Sequence, residues 1–214
     1  MLRSLGNCLR WFALSAAVTA LALAATGGIF AMLVLTAPAL TRELGTVAGL
    51  ALFGACLPLM LVLAAGLHEA GHLLAGVCVG FRPRFAHVGP ITWTRELGGW
   101  RFGWDWRRPW LGGRAVCTIR TTGRWRVVIF LLGGPFANLA SGLAAVGLVV
   151  GGLPALPRCA LGLFAIHSLL LGIANLLPLQ ERWLDSDGLA VWRLFGIARR
   201  GRIPPPRGIL SHEL

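Results

Sequence analysis

The sequence contains no lysine: all 20 of its basic residues are arginine, set against only eight acidic ones. The missing lysine reflects a coding bias toward GC-rich codons and carries no chemistry. The scarcity of acids leaves a formal net charge of +12. Such an excess suits nucleic acid only where it forms a tract. Here the arginines flank apolar segments, so no nucleic-acid partner is expected and membrane orientation explains them. Cysteine is scarce and unpatterned. Cys8, Cys56, Cys78, Cys117 and Cys159 include no C-x-x-C pair. Three of them lie in or at the ends of apolar runs, where cysteine acts as a small hydrophobe, so no disulfide framework is expected. A long polar stretch is also missing. The longest spans about residues 81–126, which leaves no room for a separate soluble domain or a PDZ-like module.

What is present is apolar. Hydrophobic residues make up 56% of the 214 positions, and the mean hydropathy is +0.72. The expected fold class is an all-α multi-pass membrane protein, one domain over 1–214. It has about four transmembrane helices, at about 12–40, 46–79, 127–152 and 159–179. Arg3 and Arg10 before an apolar run suggest a signal peptide, with small residues near Ala24 and Ala25. The run continues past any such cleavage site, so a retained first span is expected. Pro58 invites a kink in the second span, and Gly133-Gly134-Pro135 invites a break in the third, beside Asn138. Gly66, Ala75 and Gly76 would let another helix approach the second span closely.

Between spans two and three the pattern changes to strand-like alternation. Ile91–Thr94 and Trp100–Trp106 read as strands, and Glu96–Gly99 as the turn between them. Five of the nine tryptophans fall between Trp93 and Trp110. Tryptophan beside arginine suits a membrane–water interface. This small membrane-associated β-rich segment, about 81–126, either anchors in lipid or offers a sheet edge to an extended peptide. After span four come an amphipathic piece from Leu189 to Ile197 and a basic, proline-rich tail, about 198–214. With the N-terminus inside, 18 arginines are cytoplasmic and only Arg42 and Arg158 lie outside. That asymmetry predicts both termini in the cytoplasm, in a bacterial inner membrane.

The chain's chemistry centres on His68-Glu69-Ala70-Gly71-His72, an H-E-x-x-H motif. Histidines four apart share a helix face, about 6 Å apart along the axis, and can hold one Zn²⁺. Glu69 then stands beside the open coordination position as a general base, while zinc acidifies water and polarises a carbonyl. No charged residue separates Glu43 from His68, or Glu69 from Arg82. Ionisable groups inside an apolar span are costly, which makes this a functional site by default. The longer motif with a third histidine fails, because Ala75 and Cys78 stand where glycine and histidine belong. Glu96, a conceivable distant ligand, falls in the expected turn. His87 reads as a polar surface residue and His167 as a helix-packing one. Five histidines are too few for a multi-histidine oxygenase.

Three elements therefore occur in order: H-E-A-G-H in span two, G-G-P-F-A-N in span three, and N-L-L-P followed by D-G after span four. Over roughly 57–194 this order resembles the site-2 protease family of intramembrane zinc metalloproteases. The resemblance implies His68, His72 and Asp187 as zinc ligands and Glu69 as general base. It implies a substrate- or oxyanion-orienting role for Asn175, and a structural or substrate-orienting one for Asn138. In many members D-G follows N-x-x-P closely, whereas here the stretch from Gln180 to Ser186 intervenes. Asp185 is thus a rival ligand. Asp187 is preferred because Gly188 follows it, although an Asp there could simply cap the next helix. The expected activity is a zinc endopeptidase acting on a membrane protein or hydrophobic peptide within the lipid bilayer, near the cytoplasmic leaflet. The alternative is a non-catalytic membrane protein of the same fold that binds a peptide, as in immunity or scaffolding. The oligomeric state is left open.

Overall fold

A computed structural model describes residues 2–108, 112–119, 123–179 and 186–198. Four helices are long and apolar enough to cross a membrane: α1 (Leu2–Leu44), α2 (Thr46–Cys78), α3 (Arg124–Val150) and α4 (Ala155–Leu176). A helix satisfies its own backbone groups, so an apolar run that lacks water closes its hydrogen bonds internally. Gly45 alone separates α1 from α2, and its φ of 84° supplies the left-handed step that reverses the chain. The reversal is tight enough that a Cβ at Gly49 would lie 3.1 Å from the Leu40 carbonyl carbon.

α2 and α4 each touch the other three long helices. One apolar cluster joins Met32 and Leu40 of α1, Phe53 and Cys56 of α2, and Cys159 and Leu163 of α4. A second joins Ala64, Ala145, Phe164 and Ala165 across α2, α3 and α4. Large apolar side chains such as Leu23, Phe30, Leu35, Leu74, Leu143 and Val150 face outward. Water would not tolerate that surface, but a lipid environment would.

The break expected in α3 does not occur: the helix runs on through Gly133, Gly134 and Pro135. α2 likewise runs as one helix through Pro58. Each proline forfeits a single backbone hydrogen bond, a loss that packed neighbouring helices absorb.

The β-rich segment is a four-stranded antiparallel sheet. Its strands are β1 (Arg82–Val88), β2 (Ile91–Glu96), β3 (Gly99–Trp104) and β4 (Gly113–Thr118), in the order β3-β2-β1-β4. The hairpin pairs Glu96 with Gly99 and Trp93 with Phe102, closing on Leu97-Gly98 where the turn was expected. β3 stops at Trp104, short of the expected Trp106. β1 and β4 were not foreseen. β1 alternates poorly in sequence, and its pairing with β4 is irregular between Pro83 and Phe85. Both strands pack on α2. His87 belongs to this buried end of the sheet and not to the surface, with Nδ1 3.2 Å from the Gly89 carbonyl oxygen. A short helix, α5 (Asp187–Ala198), follows α4. Asp185, Trp110 and the 199–214 tail lie outside the described residues.

Helices joined by such short links must alternate in direction. The Gly45 link and the 151–154 connection share one end of the bundle, where Glu43, Pro154 and Arg158 line a common pocket. The sheet and α5 occupy the other end, together with the C-terminal part of α2.

Candidate metal centre

His68 and His72 lie near the sheet end of α2, one turn apart, and both are buried. Their Nε2 atoms are 3.1 Å apart. Asp187 Oδ2, at the start of α5, is 3.1 Å from His68 Nε2 and 3.3 Å from His72 Nε2. Three residues from two elements, 115 or more positions apart in sequence, thus aim one atom each at a common point.

The triangle has the right size. A tetrahedral ion with bonds of about 2.0–2.1 Å places its ligand atoms about 3.3 Å apart. The polarity also fits. His72 Nδ1–H donates to the Phe130 carbonyl at 2.8 Å, which leaves a lone pair on Nε2 for a cation. A lone pair and a carboxylate oxygen converging in a buried space repel each other unless a proton or a cation lies between them. Burial opposes ionisation of Asp187, but its hydrogen-bonded contacts with the two histidines outweigh burial and hold its carboxyl below the usual range. These residues therefore fit a metal ion.

Glycine makes room for the centre. Gly71 of α2 faces Gly133 of α3 so closely that a Cβ on Gly71 would overlap the Gly133 carbonyl oxygen. A Cβ on Gly133 would in turn lie 2.5 Å from that of Ala75. One residue on, a Cβ at Gly134 would lie 2.5 Å from His72 Nε2 and 2.7 Å from His68 Nε2. Phe130, Gly134 and Asn138 recur every fourth residue on one face of α3, which presents a carbonyl, a gap and an amide to the two imidazoles. The G-G-P-x-x-N element is thus a contact surface and not a helix break. Ala75 and Gly76 take part in the close packing as expected, Gly76 against Cys117 and Phe130; Gly66 faces Val88 of the sheet instead of a helix.

Asp187 is not the cap of α5. Ser186 is: its Oγ accepts from the Leu189 N–H at 3.2 Å, the usual helix N-cap bond. The same hydroxyl donates to the Leu177 carbonyl at 2.6 Å and accepts from the Leu179 N–H at 3.0 Å. A Cβ on Gly188 would overlap the Leu176 carbonyl. The N-L-L-P and D-G elements are therefore packed on each other, and that contact turns the Asp187 carboxylate toward the histidines. Ser186 was missed in the sequence, although Ser before a helical Asp-Gly-Leu is a cap signal.

Glu69 is buried beside β4. A Cβ on Gly113 would lie 2.7 Å from its Oε1, and the Ala115 amide and the Arg114 charge act on the same carboxylate. Asn138 is wholly buried, with Nδ2 3.2 Å from His68 Nδ1. Asn175 is not brought to this group by its amide. Its Nδ2 donates to Leu171, one turn back in its own helix, at 3.0 Å. Cys117 lies near Phe130, where burial pushes its thiol up to about 11.

The chain matches no family model, no curated protein and no solved structure.

Proposed function

We propose that the protein is a site-2-protease-like intramembrane zinc endopeptidase. The observation that carries this reading is the convergence of His68, His72 and Asp187 on one point, with the Glu69 carboxylate buried alongside. Bound there, zinc would supply Lewis acidity, lowering the pKa of water and polarising a peptide carbonyl. Glu69 then accepts a proton from the attacking water as its oxygen bonds to the carbonyl carbon. It delivers that proton to the departing nitrogen as the C–N bond breaks. A pure binder has no use for such a base.

The substrate is a membrane protein or a hydrophobic peptide in extended form. A helical peptide bond is shielded by its own hydrogen bond, so a segment must unwind before it can be cut. β4 supports this: among the described residues it is an outer strand of the sheet, and it runs past Glu69. An unwound segment paired with such an edge keeps its backbone satisfied while its carbonyl reaches the centre.

The test is Glu69→Gln in cells and in purified protein. Zinc content should stay near one per chain while cleavage falls about 10²–10⁴-fold, and uncut substrate should accumulate in the membrane. Full complementation of a deletion phenotype by Glu69→Gln would overturn the protease and leave a peptide binder.

A further inference from the structure

Asn138 gives one end of its amide to His68 and the other to nothing. Nδ2 lies 3.2 Å from His68 Nδ1, while Oδ1 is buried without a partner. The nearby serines are committed elsewhere. Ser168 Oγ donates to the main-chain carbonyl of Asn138 at 3.0 Å, and Ser141 Oγ lies 3.3 Å from that carbonyl and 3.1 Å from Ser168 Oγ. These bonds fix the Asn138 backbone between α3 and α4 and leave its side chain to the histidine.

The histidine's proton decides how that amide must face. With Nδ2 donating to Nδ1, the neutral ring carries its proton on Nε2. That proton points at His72 Nε2 and Asp187 Oδ2 and blocks ligation through that atom. A ring protonated on Nδ1 frees Nε2 for a metal but needs an acceptor at Asn138. Half a turn about the Cβ–Cγ bond exchanges Nδ2 and Oδ1 with little change of shape. One end of the amide is left over in either orientation, so the ring's proton sets the choice.

We infer that Asn138 is a positioning residue that supports the metal-binding tautomer of His68: when the centre holds metal, Oδ1 accepts the His68 Nδ1–H and steadies the ring with Nε2 free. α3 then serves both ligands alike, taking His72 Nδ1–H on the Phe130 carbonyl and His68 Nδ1–H on Asn138, two turns further along. The inference rests on the metal-binding reading of the centre and is independent of proteolysis.

The experiment titrates the full-length protein in lipid bilayers with Zn²⁺ alone, against a chromophoric chelator, for wild type, Asn138→Asp and Asn138→Leu. An Asp carboxylate can accept but not donate, and Leu can do neither. Asn138→Asp should bind Zn²⁺ near the wild-type level and Asn138→Leu about 10–100-fold more weakly. Nitrogen-15 histidine spectra of the zinc-loaded wild type should show the proton on His68 Nδ1, assigned by comparison with His68→Gln. An unprotonated Nδ1 in the zinc-bound protein overturns the inference. So does Asn138→Asp as weak as Asn138→Leu, or Asn138→Leu as tight as wild type. A wild-type protein that binds no Zn²⁺ at all removes the metal reading and takes the inference with it.

Discussion

At the scale of single residues, two glycines would separate metal binding from catalysis in the proposed enzyme. Gly134 stands against the ligand nitrogens themselves. A methyl group 2.5 Å from His72 Nε2 must displace an imidazole that the Phe130 carbonyl holds in place. Gly134→Ala should therefore lose most of its zinc while keeping its helical circular dichroism. Gly113 stands against Glu69 instead: the three atoms nearest a Cβ there all belong to that side chain. Gly113→Ala puts a carbon 2.6 Å from Glu69 Cγ, so the carboxylate must shift while the ligands stay. Zinc content should stay near wild type and the cleavage rate should fall about 10²-fold, the usual effect of misplacing a reacting group by an ångström. Retained zinc in Gly134→Ala, or unchanged cleavage in Gly113→Ala, would refute these assignments. Neither glycine's role is legible in the sequence. His68, Glu69 and His72 are, because a helix turns a spacing of four into a shared face. A glycine's reason for being there lies in what approaches it from another element. Spacing alone could not select Asp187 either; that came from the motif order. The physical reason for its Gly188 is contact with the Leu176 carbonyl.

At the scale of elements, the centre depends on how α5 is moored to α4. Asp187 opens α5, so whatever holds the start of that helix against the end of α4 also aims its carboxylate. Ser186 is central to that contact. One hydroxyl caps α5 and bonds both Leu177 and Leu179. Removing a cap bond of this kind costs about 1 kcal/mol. Here that loss also loosens the third ligand. Ser186→Ala should weaken Zn²⁺ binding in a competition titration, and Ser186→Thr should restore it; equal affinity in Ala and wild type would mean that α5 is held by other contacts. The helices themselves were legible, because length and apolarity suffice to predict a span. The continuity of α3 was not, since Gly-Gly-Pro reads as a break until Gly71 and Ala75 are seen to need Gly133, and the two imidazoles to need Gly134. The hairpin was legible from its alternation. β1 and β4 were not, because their pairing is long-range and interrupted by a bulge.

At the scale of the whole molecule, charge and architecture agree. The two ends of the bundle differ in arginine content as sharply as in structure. Arg42 and Arg158 mark the end with the short links, while every other arginine in the described residues beyond residue 18 belongs to the end with the sheet and α5. Cytoplasmic loops retain arginine and exported ones shed it, so the fold should insert with the metal end inward. This orientation sets which leaflet holds the site, and hence the side from which the proposed protease would cut. Two positions report it in a background with the five native cysteines replaced. Leu97, fully exposed at the hairpin tip, marks the metal end; Leu156, 40% exposed in the first turn of α4, marks the other. A membrane-impermeant maleimide added to intact cells should label Leu156→Cys at once and Leu97→Cys only after permeabilisation. Labelling of Leu97→Cys in intact cells would invert the molecule and move its metal centre to the outer leaflet. The arginines would then need a different explanation, and cleavage from the cytoplasmic side would be excluded.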